Sequence, residues 1–190
     1  MKNYITLLIT VILLSGCTSV ISKQPVGTSK HTVQAEDWDG TWIHEKTAIN
    51  IKVIKESPGT IKLAWIEEKD EDFHIETMTC EILESKSNHY INCLNLPGEN
   101  LDGYYIWGKV INNDDRIIIW PPSFEAFLTA HKNNLLISDL EESSQDENGH
   151  YRFRQIKIND DPGHVVQLIE NDPGKFFDWE NPIILTKLIR

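Results

Sequence analysis

The side chains able to do chemistry in this chain are three thiols, seven imidazoles and a few runs of carboxylates. The thiols are Cys17, Cys80 and Cys93; the imidazoles are His31, His44, His74, His89, His131, His150 and His164. General acid–base chemistry needs an imidazole held near a carboxylate or a substrate proton. His44 adjoins Glu45, and His74 lies two residues before Glu76. In a strand neighbours point to opposite faces, so only the second pair shares a side, and a solvated surface histidine has the same spacing. The run Glu67-Glu68-Lys69-Asp70-Glu71-Asp72 could gather a hard cation, but it lacks the ligand spacing and glycine of a calcium loop, and Asp146-Glu147-Asn148-Gly149 has only a fragment of that pattern. Both read as exposed acidic loops. Gly-x-Ser-x-Gly, His-Glu-x-x-His and a phosphate-binding glycine loop are all absent from the sequence. The cysteine spacing is wrong for a zinc site of the CxxC type. No catalytic residue, metal ligand or cofactor is assigned, and the chain is expected not to be an enzyme.

The chemistry of Cys17 depends on what precedes it. Met1 to Tyr4 carries one positive side chain and no acid, Ile5 to Leu14 is apolar apart from Thr6 and Thr10, and Leu14-Ser15-Gly16-Cys17 follows. A short cationic start, an apolar run and small residues at the cut mark an export signal, and the run is too short to span a bilayer, which needs roughly 20 apolar residues. Leu14-Ser15-Gly16-Cys17 resembles the lipobox of bacterial lipoproteins. That resemblance implies a signal peptide over residues 1–16, a diacylglyceryl group on the Cys17 sulfur and acylation of the new amine, with palmitate as the expected chain. Two or more chains anchor a protein stably where one does not. Thr18 stands where an aspartate would, by analogy with enteric lipoproteins, retain the protein at the inner membrane. The expected location is therefore the cell envelope, lipid-anchored at the outer membrane and facing the periplasm.

Residues 17–36 read as the lipidated cysteine and a flexible tether, because Thr18 to Glu36 is polar and mixed without sustained periodicity. A coil of that length spans roughly 25 Å. Residues 37–190 then form one β-rich globular domain.

With Cys17 committed to lipid, Cys80 and Cys93 remain as an even pair in an oxidising compartment. Asp72–Leu83 and Asn88–Leu96 are strand-like and flank a polar turn at Ser85-Lys86-Ser87-Asn88. A hairpin symmetric about that turn sets Ile82 against Ile91 and Cys80 against Cys93, all on one face. A cross-strand disulfide is expected; two reduced, buried thiols are the alternative.

Further strands are expected at Thr41–Thr47, Ala48–Glu56, Thr60–Glu67, Tyr104–Ile111, Arg116–Trp120, Leu135–Asp139, Tyr151–Ile158, Val165–Ile169 and Pro182–Ile189. Ile49, Ile51 and Val53 alternate with Asn50 and Lys52, and Ile61, Leu63 and Trp65 repeat the pattern, which is that of half-buried antiparallel sheet. Pro-Gly pairs at Pro58-Gly59, Pro97-Gly98, Pro162-Gly163 and Pro173-Gly174 read as turns. One short amphipathic helix is expected at about 123–133: Ser123 can cap it, and Phe124, Phe127, Leu128 and His131 share a face. It would cover a core or form a lid over a cavity. The fold class is mainly β, an antiparallel barrel or sandwich with that one helix.

Gly40-Thr41-Trp42 at the start of the first strand resembles the Gly-x-Trp signature of lipocalins and related calycin barrels. The resemblance implies a lipocalin-like barrel in which Gly40 lets the chain turn in and Trp42 plugs one end. A basic residue from a late strand, Lys187 or Arg190, would then stack on the indole. Trp65, Tyr105, Trp107 and Trp120 also lie in expected strands and would either fill the core or line an apolar pocket.

The net charge of −11 argues against binding nucleic acid, and loss of residues 1–16 removes Lys2 alone and makes the remainder one unit more negative. Besides the membrane, reached through the acyl anchor, two partners remain. One is a small apolar ligand of a non-enzymatic binding or structural barrel. The other is a basic protein, such as a lysozyme, neutralised by an envelope inhibitor or immunity factor.

Overall fold

Alternation decides which side chains face inward. In β4 (Thr47–Lys55) Ile49 and Ile51 are buried while Asn50 and Lys52 are exposed, and in β5 (Gly59–Lys69) Ile61, Leu63 and Trp65 are buried. The computed structural model describes residues 18–69, 72–94, 101, 103–113, 115–143 and 153–188. The expected signal peptide, Cys17, the Pro97-Gly98 turn, His150, Tyr151 and Arg190 lie outside them.

Eight strands close into an antiparallel barrel. In ring order they are β3 (Gly40–His44), β4, β5, β6 (Asp72–Ser85), β7 (Asn88–Leu94), β8 (Tyr105–Asn113), β9 (Arg116–Trp120) and β12 (Ile183–Lys187), the last returning to β3. Closure leaves the ring without a free edge. The inward side chains, among them Trp42, Ile49, Ile61, Ile82 and Leu185, pack as one buried cluster. Across β6 and β7 the register is Ile82 with Ile91 and Cys80 with Cys93, and the two cysteines form a disulfide.

A second layer grows from β8. Its first residues pair with β1 (Thr18–Ser22), Ile21 opposite Ile106 and Ser22 opposite Tyr105, before β9 takes over from Lys109 onward. β1 pairs in parallel with β11 (Arg154–Ile158), which pairs with β10 (Ser138–Glu142). The helices α2 (Phe124–Lys132) and α3 (Pro162–Asn171) cover this side sheet. Val20, Trp107, Phe127, Ile156 and Val166 belong to the core between them. Hence β7 and β8 are buried on both faces: Ile91, Cys93 and Val110 point into the barrel, Tyr90 and Trp107 into the outer core.

Three expectations are corrected. Residues 18–36 are not a flexible tether: Val20, Ile21, Val26 and Val33 are at most 5% exposed. Four apolar residues spread over a polar stretch carry no periodicity, yet each fills a place in a core built by distant strands. Val26 is tied down further by Asn92, whose carbonyl oxygen accepts from the Val26 amide at 2.7 Å and whose Nδ2 donates to the Val26 carbonyl at 3.0 Å.

Val165–Ile169 is helix, not strand. Asp161 caps α3 by accepting from the amides of Gly163 and His164, and Pro162 occupies its first turn, so the Asp-Pro-Gly sequence starts a helix instead of turning the chain. Val165, Val166 and Ile169 form its buried face. The expected strand at Leu135–Asp139 starts at Ser138 instead, with Leu135 and Ile137 exposed in the turn before it.

The helix near 123–133 is present with Ser123 as its cap. It is one of three among the described residues, with α3 and the short α1 (Ala35–Trp38). It packs on the side sheet and is no lid over the barrel mouth.

Candidate functional site

One end of the barrel is plugged. Gly40 opens β3 at a φ of +143°, a conformation that L side chains rarely adopt. Trp42 is fully buried two residues on, and its indole nitrogen donates to the Trp38 carbonyl of α1 at 2.9 Å. The Lys187 ammonium lies 5.2 Å from the centre of the Trp42 ring and donates to the Glu36 carbonyl at 3.0 Å. Asp39, between α1 and β3, pairs with Lys52 and accepts from the Val53 amide at 2.6 Å. Burial pushes its carboxyl up, but the Lys52 hydrogen bond, the Val53 amide and the fields of Lys52 and Lys187 outweigh that and hold it below the usual carboxylate value. Salt and hydrogen bonds thus seat α1 across this end.

At the other end the β5–β6 hairpin outgrows its neighbours. β4 pairs β5 only as far as Ala64, and β7 pairs β6 only from Thr79. Beyond these the described ribbon is two-stranded. Its outer face carries Ile66 opposite Ile75, then Phe73, which are 61%, 74% and 71% exposed. The face continuing the barrel interior carries Glu67 opposite His74, and Glu76. The outer face is largely apolar apart from Glu68, which stands opposite Phe73, and the other face carries two glutamates.

The aromatic residues singled out in the sequence do not converge. Trp65 points into the barrel, whereas Trp107 faces the outer core, edge-on to Phe127 at 5.7 Å. Trp120 stacks on Trp179 at 5.2 Å on the outside, and Tyr105 is half-buried where β8 meets β1. Of the two alternatives, filling a core or lining an apolar pocket, their strand positions divide them between two sides of the barrel wall.

A different cavity opens where β8 exchanges β1 for β9. It is a half-open cleft of about 1200 Å³ between Thr18–Ile21, Trp107, Pro121–Glu125 and Phe177–Ile184, with His44 and Glu45 at its edge. Two of its lining residues carry buried ring nitrogens without a hydrogen-bond partner, Trp107 Nε1 and His44 Nε2. His44 Nδ1 is 3.0 Å from the Ile184 carbonyl. Since a carbonyl only accepts, Nδ1 carries a proton and donates it to this hydrogen bond. Both nitrogens are buried within residues that line the cleft, whose wall mixes aromatic and proline surfaces with polar and acidic residues such as Ser123, Asp178 and Glu180.

Around α2 and α3, His131 Nδ1 lies 2.9 Å from Ser138 Oγ, and His164 Nδ1 lies 2.8 Å from Asp160 Oδ2. The carboxylate is bonded to the other imidazole, so hydroxyl, imidazole and carboxylate are not in series.

Sequence reasoning missed this cleft because its walls come from five separate segments. It also passed over His31, Glu84 and His89, which meet beside the plugged end. The turn symmetry that paired Cys80 with Cys93 also pairs Glu84 with His89, and that signal was available; nothing local brings in His31.

No protein-family model, no curated protein and no solved structure matches this chain.

Proposed function

We propose that this chain is a lipid-anchored protein of the cell envelope that binds an amphiphile in the cleft between its barrel and side layer, without catalysing a reaction on it. The observation that carries this reading is the half-open cleft of about 1200 Å³ itself, in which Phe124, Phe177 and Trp179 stand beside polar residues such as Ser19, Ser123 and Asn181. The apolar part of an amphiphile would cover Phe124, Phe177 and Trp179, and its polar end would meet the polar residues of the same wall. The plugged and filled barrel argues for this outer cleft over the interior that a lipocalin-like resemblance implies.

The anchor rests on the Leu14-Ser15-Gly16-Cys17 lipobox. β1 begins at Thr18, which pairs with Arg154 of β11, so the folded domain reaches to the residue beside Cys17. Thr18 also lines the cleft. An amphiphile from the membrane, expected to be the outer one seen from the periplasm, would meet the cleft directly.

Full chain extracted from host membranes in mild detergent is expected to carry a retained amphiphile in native mass spectrometry. Brominated fatty acid is expected to quench the fluorescence of Trp107 and Trp179. Absence of both results overturns the binding reading. Separately, Cys17→Ser is expected to abolish palmitate labelling, and retained label overturns the anchor.

The β5–β6 ribbon favours a second reading, an inhibitor or immunity factor against a basic envelope-attacking enzyme such as a lysozyme. β8 runs from the ribbon end toward the plugged end and β1 runs against it, so the N-terminus of β1 points away from the ribbon tip. A ribbon with an acidic face would project from the membrane toward a cationic partner, where opposite fields speed association. Failure of the full chain to slow lysis by a panel of basic lysozymes removes this reading.

A further inference from the structure

We propose that His31, Glu84 and His89 form a binding site for a divalent transition-metal ion, with zinc as its first occupant. His31 follows β2 (Ser29–Lys30), a short strand laid against the end of β6. Its backbone is pinned on both sides: its amide donates to the Ile82 carbonyl, and its carbonyl accepts from the Gly59 amide at 2.8 Å. Glu84 and His89 are directly opposed in the β6–β7 hairpin. They share the inward face with Ile82 and Ile91, one step further toward the barrel end.

The side chains converge. His31 Nδ1 is 2.8 Å from Glu84 Oε2, and the His31 and His89 rings lie 3.9 Å apart between centres at 33°. One ligand atom from each residue lies within 4.8 Å of the others. Two imidazole nitrogens and one carboxylate oxygen are a borderline donor set, suited to zinc, nickel or copper and not to calcium or magnesium, which take oxygen. Zinc ligands sit about 2.0–2.2 Å from the ion, so the three atoms need only a modest contraction and leave a fourth position for water. The side chains are half-buried, open enough for an ion to enter and sheltered enough to hold it.

A plain His–Glu hydrogen bond accounts for His31 and Glu84; the His89 ring, packed on His31, brings a third donor to the same point. The ion would tie the segment leading to Val33 and α1, which plugs the barrel, to the hairpin that forms its wall.

The test uses full chain in detergent, free of any histidine tag, stripped with chelator and titrated with Zn²⁺ by calorimetry. Wild type is expected to bind one ion that is lost in the triple variant His31→Gln, Glu84→Gln, His89→Gln. Cobalt in place of zinc is expected to give a four-coordinate visible spectrum that His89→Gln alone weakens at least about tenfold in affinity. A triple variant that retains the wild-type ion count and affinity overturns the site, as does wild type that binds no zinc at micromolar concentration. If the triple variant does not fold, anomalous diffraction at the zinc edge from wild-type crystals decides: a peak among His31, Glu84 and His89 supports the site, and its absence overturns it.

Discussion

Lys187 reaches back over the Trp42 indole, its ammonium 5.2 Å from the ring centre, while donating to the Glu36 carbonyl. One cation thus holds the last barrel strand, the first barrel strand and the helix that plugs them. Lys187→Met keeps the stem and removes the charge. It is expected to cost about 1 kcal/mol, within the range of a partly exposed cation–π contact, read as a lower urea midpoint at unchanged slope. Trp42→Ala empties the plug and is expected to cost about 3–5 kcal/mol. Equal stability of Lys187→Met and wild type would remove the cation from this role.

The Cys80–Cys93 bridge closes a short loop across one hairpin. Closing a loop of this length restricts the unfolded chain by about 3 kcal/mol in the entropy model. Cys80→Ala with Cys93→Ala is expected to lower stability by about 2–4 kcal/mol without changing the barrel. Peptide mapping after alkylation of the denatured, unreduced chain is expected to find neither cysteine labelled.

Where one face of a strand met water and the other the core, the sequence pattern was legible. Ile49 and Ile51, Ile61 to Trp65, and the hairpin register through Ile82 and Ile91 all follow from a period of two. Where both faces are buried the period vanishes, so Tyr90 and Trp107 gave no hint that a second core lies outside the barrel. β1 failed for a related reason: Val20 and Ile21 are adjacent, both buried, and flanked by polar residues. α3 was misread because Val165, Val166 and Ile169 are β-branched, and the capping role of Asp161 was hidden in an Asp-Pro-Gly that also describes a turn. The cleft and the His31–Glu84–His89 cluster were illegible as wholes because each needs residues that only strand topology brings together.

Asn92 separates a folded N-terminal segment from a tether. It satisfies both the amide and the carbonyl of the fully buried Val26. Asn92→Ala leaves both groups without that partner and is expected to cost about 2–4 kcal/mol at about 1–3 kcal/mol per lost buried group, softened by relaxation. Amides of residues 18–33 are expected to exchange faster with deuterium in this variant. If those residues were free coil, neither stability nor exchange there would respond.

Asp160 makes stability depend on acid. It is 6% exposed, accepts from the amides of Ile137 and Asp161 at 2.8 Å each, and lies 2.8 Å from His164 Nδ1. Burial pushes its carboxyl up, but the two amides and the His164 imidazole outweigh burial and hold the pKa below the ordinary 3.8. A carboxyl depressed in the folded state binds protons less readily there than when unfolded. Its contribution is therefore fully present above pH 3.8 and is lost as pH falls from there through the lower folded value. Asp160→Asn keeps one acceptor and loses the charge. It is expected to cost about 1–3 kcal/mol at neutral pH and to flatten the fall in urea midpoint below pH 3.8. Parallel curves for variant and wild type across that acid range would show that the depressed carboxyl carries no part of the acid sensitivity.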